Sequence, residues 1–202
     1  MSEFPLITDT VYNEDCCDSL LFIPDNSVDL VIGSPRRDGI KWSLDKAEKT
    51  IKLMHMAMKD GGICVWIVSD DSAKDDKSMP LFEYTVMFKE AGYNLCDTII
   101  CHKDCPCSAG GNGSEYMFVF SKGVPKTFNR RHVTFPVPLI TDHILMWTNE
   151  DDLVYDPFMG VGTTAISCMK NNRRFLGSEI DTEYYDKCMK RIAEERKSVR
   201  LF

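Results

Sequence analysis

The sequence lacks the features that mark membrane and exported proteins. None of its 202 residues lies in an apolar run of about 18, and Met1 is followed by polar and acidic residues instead of a basic and then apolar leader. We therefore expect no membrane segment, no export and a cytoplasmic location. Fixed-period repeats are also absent, so ordinary globular composition and length predict one domain over residues 1–202.

The sequence also lacks an excess of positive charge and a regular cysteine framework. Its formal net charge of −7 argues against wrapping by nucleic acid over the whole surface, while a local basic face stays open. Nine cysteines are an odd number without an export signal, which favours free thiols over disulfides. Cys101, His102, Cys105 and Cys107 have no second distant pair of ligands, so we predict no metal.

Short apolar runs alternate with helical patterns along the chain, which is typical of an α/β fold. A glycine- and proline-rich stretch separates two strands that we expect to pair in antiparallel fashion, and residues 92–131 form a candidate target-recognition region. The predicted elements are strand 28–33, a helix from Leu44 that stops at Gly61-Gly62, strand 63–68, helix 81–91, strands 93–101 and 115–120, helix 137–147, strand 153–155, a helix from Thr163, strand 175–180 and a terminal helix.

The residues 156–164, DPFMGVGTT, follow a predicted strand and open a helix. Glycines at such a turn let a ligand approach the backbone and let the helix pack on the sheet. Glu179 ends the next predicted strand, where dinucleotide-binding folds place an acid that binds ribose hydroxyls. An adenosine-bearing ligand is one interpretation, and an ordinary strand-turn-helix with a surface acid is the other. A nicotinamide-dependent oxidoreductase would share the glycine-rich turn.

DPFMGVGTT resembles the cofactor motif of DNA amino-methyltransferases of the permuted beta class, and GSEID resembles their ribose-binding motif. PDNSVDLVIGSP, EYMFVFSKG and HVTFPVPLI match other segments of that family in the same order. The resemblance implies a circularly permuted, Rossmann-like class I methyltransferase fold with a largely parallel sheet and one antiparallel strand. It also implies S-adenosylmethionine as cofactor and double-stranded DNA as partner, and a homodimer is possible. The cofactor-binding residues it implies are Asp15, Phe135, Pro136, Asp156, Phe158, Gly160, Gly162, Thr163, Thr164 and Glu179.

The family's catalytic motif has Ser, Asp or Asn, then two prolines and an aromatic residue; here it is Ser34, Pro35, Arg36 and Arg37. Arg36 removes a proline that stiffens the loop. Arg37 replaces the family's ring that stacks on a flipped base; its guanidinium plane could also stack on a base, but the resemblance implies that its charge would lie beside the cofactor's sulfonium, which costs energy. Two interpretations of the Arg pair are open: a phosphate contact, or loss of turnover. Lys122, Lys126, Arg130 and Arg131 are either a strip that contacts the DNA backbone or an ordinary solvated face.

These observations predict a restriction-modification type enzyme that methylates the exocyclic amine of a DNA base. In the family, Ser at the first motif position favours cytosine over adenine. The Arg36-Arg37 pair predicts weak or absent activity in this form. The alternative is a catalytically inactive protein of the same fold that binds cofactor, DNA or both.

Overall fold

The computed structural model describes residues 6–35, 42–69, 80–101, 115–125 and 139–199. Seven strands form one sheet in these residues: β1 Thr10–Tyr12, β2 Val28–Gly33, β3 Met58–Ser69, β4 Tyr93–Cys101, β5 Glu115–Lys122, β6 Leu153–Asp156 and β7 Arg174–Ser178. The helices are α1 Cys16–Ser19, α2 Leu44–Ala57, α3 Pro80–Glu90, α4 Leu139–Trp147, α5 Thr163–Lys170 and α6 Thr182–Val199, with a 3₁₀ turn at Leu20–Phe22.

The strand order is β1-β7-β6-β2-β3-β5-β4. Every described pair is parallel except those of β5, which runs antiparallel to both β3 and β4. The predicted α/β fold with a largely parallel sheet and one antiparallel strand is therefore confirmed.

The predicted boundary between α2 and β3 is wrong. The helix ends at Ala57, and β3 begins at Met58 and runs through Gly61 and Gly62. Met58 pairs with Val28 of β2, and the next pair is Leu30 with Ile63. The register therefore shifts between these two pairs, and the glycines lie in the resulting bulge of β3. Gly61 has φ of +80°, and a Cβ on Gly62 would lie 2.9 Å from the carbonyl oxygen of Lys59. The glycines therefore bend a strand and do not end a helix.

The short elements β1 and α1 were not predicted from the sequence. Strands β4 and β5 account for the described part of the proposed recognition region 92–131, and they belong to the sheet. The rest of that region lies outside the described residues, so both the single domain and the recognition region stay predictions.

The sheet is covered on both faces, and each face has its own core. Helices α2 and α3 pack on one face, around Ile51, Phe88 and Trp66. Helices α5 and α6 contribute to the other core, around Ala165 and Cys188. Within the described part of the chain, no helix is long and apolar enough to span a bilayer.

Neighbouring strands β2 and β6 mark the place where the chain changes direction across the sheet. From β2 the chain crosses over one face through α2 to β3, and from β6 it crosses over the other face through α5 to β7. Connections that diverge in this way leave a crevice at the carboxyl ends of the two strands, and ligands of open α/β sheets bind there. The topology thus locates a site after Gly33 and after Asp156.

Candidate active site

A cavity of about 520 Å³ opens at the carboxyl ends of β2, β6 and β7. This volume lies within the range of roughly 300–1,000 Å³ typical of small-molecule sites. Ser34 and Pro35 line one end, and Glu179 and Tyr184 line the other. The altered catalytic motif and the glycine-rich motif, about 120 residues apart in the sequence, therefore share one cavity.

The turn after β6 bonds most of its own amides internally. Phe158 N–H donates to Asp156 Oδ1 at 2.9 Å, and Met159 N–H donates to the carbonyl oxygen of Ser178 at 2.9 Å. Gly160 N–H donates to Glu179 Oε2 at 2.7 Å, and Gly162 N–H donates to the Met159 carbonyl at 2.9 Å. A loop that cradles a pyrophosphate needs free amides, so this turn does not favour the nicotinamide alternative.

The Glu179 carboxylate lies just beyond β7 and is fixed by two backbone amides. Gly160 N–H binds Oε2, and Asp181 N–H binds Oε1 at 2.9 Å. Each ionised oxygen retains further acceptor capacity. The carboxylate is therefore held in place to accept hydrogen bonds from a diol such as ribose.

The two motif glycines have different structural roles. Gly160 has φ of +55° in the turn and lines the cavity. Gly162, with φ of +86°, caps α5 and lies against α6, where an added Cβ would be 2.6 Å from Cys188 Sγ. Gly162 therefore allows α5 to pack closely on α6, and it is not among the lining residues. Gly160 lines the cavity, where the absence of a side chain lets a ligand approach the backbone.

Asp156 lies beneath the turn and is fully buried at the end of β6. It accepts a hydrogen bond from the Thr164 hydroxyl at 2.5 Å as well as the one from Phe158 N–H. Burial, with a smaller contribution from the nearby Glu179 charge, raises the pKa of Asp156 to about 6, against the effect of those two hydrogen bonds. A cation in the cavity would favour its ionised form.

Asp15 caps α1 and lines the same cavity. Its Oδ1 accepts from Cys17 N–H at 2.9 Å, and its Oδ2 forms an ion pair with Lys46 in the first turn of α2. Burial favours the neutral acid, but the hydrogen bonds from Lys46 and Cys17 outweigh it and lower the pKa of Asp15. The carboxylate is therefore ionised and anchored.

A buried hydroxyl cluster attaches α1 to the cofactor motif. Ser19 Oγ lies 2.5 Å from Ser178 Oγ and 3.2 Å from the Tyr155 hydroxyl, which is 3.0 Å from Ser178 Oγ. Buried polar groups that satisfy one another hold a unique arrangement. The cluster fixes α1, and with it Asp15, against β6 and β7.

The Ser34 end of the cavity has an aromatic wall. The Trp42 ring meets Phe158 edge-on at 4.8 Å, and Trp66 lies 5.7 Å from Phe158. Gly33 leaves room for Trp66, since an added Cβ would be 2.4 Å from that ring. Glu115, the first residue of β5, lines the same end.

Several predicted residues cannot be placed in this site. Arg36, Arg37, Phe135, Pro136, Lys126, Arg130 and Arg131 lie outside the described residues. Lys122 lies at the opposite edge of the sheet, where its ammonium donates to Asn26 Oδ1 at 2.9 Å and to the Met58 carbonyl at 2.8 Å. Of the remaining predicted residues, Gly162 does not line the cavity, and the others do: Ser34, Pro35, Asp15, Asp156, Phe158, Gly160, Thr163, Thr164 and Glu179.

Sequence reasoning missed other residues of the cavity wall. Lys46 lies in the helix predicted from Leu44, where the apolar spacing gave no reason to single it out, and Trp42 was not among the predicted site residues. Lys46 lies in the first turn of α2 and Trp42 just before that helix begins, but no pattern indicated that Lys46 faces Asp15. The missed residues are Glu14, Cys16, Trp42, Lys46, Ile67, Glu115, Leu139, Ile140, Ile180, Asp181 and Tyr184.

The cavity wall is strongly acidic. Among the described lining residues six are acidic and only Lys46 is basic; the acids are Glu14, Asp15, Glu115, Asp156, Glu179 and Asp181. A wall of low dielectric constant concentrates such a field. The site therefore suits a ligand that carries positive charge.

Sequence and structure comparisons identify proteins that share this arrangement. A DNA methylase family profile matches residues 131–191. The orphan methyltransferase M.BamHII of Bacillus amyloliquefaciens is 32% identical, and the match covers 86% of this chain and 90% of that protein. It extends over 244 aligned positions, more than the 202 residues of this chain, so M.BamHII contains inserted segments that this chain lacks.

Two solved structures have the same fold. A Thermus thermophilus protein described as a DNA modification methylase, in complex with S-adenosyl-L-methionine, superimposes with a TM-score of 0.74 at 23% identity, covering 92% of this chain and 93% of that one. The cytosine-N4-specific PvuII DNA methyltransferase gives a TM-score of 0.70 at 18% identity, covering 92% and 90%. The matched profile, the M.BamHII identity over nearly its full length and the shared fold together show that the chain belongs to the DNA amino-methyltransferase family.

Proposed function

We propose that this chain transfers a methyl group from S-adenosylmethionine to the exocyclic amine of cytosine in DNA, and that Arg36-Arg37 slows the transfer. One observation carries the proposal: Ser34-Pro35 and Glu179 line the same cavity, so a base and an adenosine cofactor would meet there. The cofactor would supply the methyl group: its bond to sulfur would break as the bond to the amine nitrogen forms, a neutral thioether would leave, and the amine would lose one proton to solvent.

The described residues fit this cofactor. Glu179 offers two anchored oxygens to ribose hydroxyls, and the exposed side chains of Ile180 and Tyr184 offer an apolar border for the adenine ring. Asp15 and Asp156 bring further negative charge to the cavity that Ser34 and Pro35 line. The acidic wall suits the sulfonium and ammonium of S-adenosylmethionine better than the phosphates of a dinucleotide.

Ser34 and Pro35 supply the surviving part of the base site. A hydroxyl oxygen and a backbone carbonyl can accept the protons of an amine and hold its nitrogen in line with the methyl group. Trp42 and Phe158 offer rings at this end, where the motif has lost its own. Ser34 and the resemblance of the motif favour cytosine, and the PvuII enzyme of the same fold is cytosine-N4-specific.

Arg36 and Arg37 oppose the transfer in two ways. Arg36 lacks the ring with which the family's second proline restricts the backbone. A guanidinium at about 4 Å from a sulfonium would be repelled by about 4 kcal/mol at an effective dielectric constant near 20, and each 1.36 kcal/mol changes the rate about tenfold. The acidic residues of the cavity offset part of this repulsion, so we expect slow turnover.

The second candidate function is a binding protein without turnover, and the Arg pair is the observation that favours it. It predicts normal cofactor affinity together with DNA binding and no methylated product. The two candidates therefore differ in product formation and not in cofactor affinity.

The experiment compares the wild type with Arg36→Pro/Arg37→Tyr and with Arg36→Ala/Arg37→Ala. Calorimetry measures cofactor affinity, and mass spectrometry of digested mixed-sequence DNA counts N4-methylcytosine and N6-methyladenine separately. We expect equal cofactor affinities, slow formation of N4-methylcytosine by the wild type, and at least about tenfold faster formation by the Pro/Tyr variant. The double-alanine variant separates the effect of charge from that of stiffness and the ring.

Three results would count against the proposal. Product from the Pro/Tyr variant alone would support the binding protein as the natural function. N6-methyladenine as product would overturn the assignment of cytosine. If no variant binds the cofactor or forms product, the methyltransferase function itself fails.

A further inference from the structure

Lys46 occupies a distinctive position in the cavity. It lies in the first turn of α2, lines the cavity, and is mostly buried with its ammonium paired to Asp15 Oδ2. Its ammonium is also 5.8 Å from the centre of the Trp42 ring. Among the described lining residues it is the one basic side chain, surrounded by six acidic ones.

This imbalance matters because the amino-acid part of S-adenosylmethionine is zwitterionic. The acidic wall suits its ammonium and sulfonium but repels its carboxylate. A buried carboxylate needs a cation or several hydrogen-bond donors to offset its lost hydration. The cavity must therefore supply such a group if it binds the whole cofactor.

Several other donors near the cavity are already engaged, and the indole Nε1 of Trp42, which has no hydrogen-bond partner among the described residues, is uncharged. The N–H groups of Phe158, Met159, Gly160 and Gly162 bond within the turn or to its neighbours. The Thr164 hydroxyl donates to Asp156. The Lys46 ammonium has three protons, so it can keep Asp15 and still donate to a second acceptor.

We infer that Lys46 binds the carboxylate of the cofactor's methionine part and so selects S-adenosylmethionine over its decarboxylated form. This assignment rests on the proposed function and adds a residue that recognises the cofactor. Asp15, held by Lys46 and by Cys17 N–H, then faces the cofactor ammonium. The Lys46–Asp15 ion pair would thus bind both charged groups of the methionine part, Lys46 the carboxylate and Asp15 the ammonium.

The rival explanation is that Lys46 acts only by holding Asp15. The two explanations differ in a measurable way, because the decarboxylated cofactor keeps the ammonium and the sulfonium but lacks the carboxylate. Loss of a carboxylate contact would weaken binding of the intact cofactor alone. Loss of support for Asp15 would weaken binding of both forms equally.

The test measures calorimetric affinities of S-adenosylmethionine and of decarboxylated S-adenosylmethionine for the wild type, Lys46→Met and Lys46→Gln. Lys52→Met is the matched control, because Lys52 is an exposed lysine of α2 that pairs with Glu48. Thermal unfolding of each variant verifies that it is folded. The readout is binding, so it does not depend on turnover.

We expect Lys46→Met to weaken binding of the intact cofactor roughly tenfold to a hundredfold, the range for a hydrogen bond to a charged group. Its affinity for the decarboxylated form should stay within about threefold of wild type, and Lys52→Met should change neither affinity. Lys46→Gln keeps a donor without the charge and should fall between wild type and Lys46→Met.

An equal loss for both ligands would assign Lys46 to the support of Asp15 and overturn the inference. Unchanged binding of both ligands would overturn it as well. A wild type that binds the intact cofactor but shows no preference over the decarboxylated form would exclude any carboxylate contact while leaving the proposed function intact. Failure of the wild type to bind either ligand would refute the proposed function, and this inference with it.

Discussion

The two ends of the cavity differ in how fully the fold supports them. At the Glu179 end, a complete family motif is held by backbone hydrogen bonds from Gly160 and Asp181 and by packing of Gly162 on α6. At the Ser34 end, two motif residues survive, and Trp42 and Phe158 provide the rings. The cofactor end is thus held by hydrogen bonds and packing of the fold, whereas at the base end two of the four motif positions differ from the family's pattern.

The largest expected effect is at the cofactor end. Glu179→Gln should lower the affinity for S-adenosylmethionine by about a hundredfold, because hydrogen bonds to a charged group are worth about 1.5–3 kcal/mol each. Calorimetry measures the change. Glu183→Gln is the control, since Glu183 is exposed and pairs with Lys187. Unchanged affinity of the Glu179 variant would remove this residue from the ribose site.

The second prediction tests whether packing supports the cofactor end. Gly162 and Gly123 both have positive φ, but only at Gly162 would a Cβ meet another atom, Cys188 Sγ at 2.6 Å. Gly162→Ala should therefore lower the free energy of unfolding by about 1–3 kcal/mol more than Gly123→Ala does, through overpacking. Urea unfolding measures both values, and equal losses would mean that backbone strain alone explains Gly162.

The third prediction concerns pH and the charge of the cavity. The pKa of Asp156 is raised to about 6, mainly by burial, and a bound cation favours the ionised carboxylate. Cofactor affinity should therefore be full above pH 6 and fall as the pH drops through that value, by up to about tenfold for each unit below it. Calorimetry across this range should show a smaller slope for Asp156→Asn. Identical slopes would assign the dependence to another group.

The smallest expected effect concerns Lys122, which lies at the edge of the sheet opposite the cavity, and the salt dependence of DNA binding. Each lost phosphate contact should reduce the slope of log DNA affinity against log salt by about 0.9. Lys122→Met should leave that slope unchanged, because its ammonium is bound to Asn26 and Met58. The same measurement on Arg36→Ala/Arg37→Ala decides whether the Arg pair contacts phosphate. A reduced slope for the lysine variant would restore Lys122 to the DNA-binding residues.

Much of the fold and of the cofactor site was predictable because local patterns carry it. Alternating runs predicted the parallel strands, and β2 has the predicted bounds, Val28–Gly33. DPFMGVGTT and Glu179 identified the turn and the acid because their spacing follows from a strand, a turn and a helix. The predicted helix end at Gly61-Gly62 was wrong, since pairing of Met58 with Val28 extended the strand through two glycines that usually end a helix.

The sequence by itself determined the fold class, the family and the order of the motifs, because each of these depends on residues close together in the chain. Only the tertiary structure decided that Asp15 and Lys46 face each other beside the cofactor motif. It also placed Lys122 at the far edge and gave the cavity an acidic wall. These relations arise because parallel strands align their carboxyl ends, which brings side chains from distant segments together at distances that no local pattern encodes.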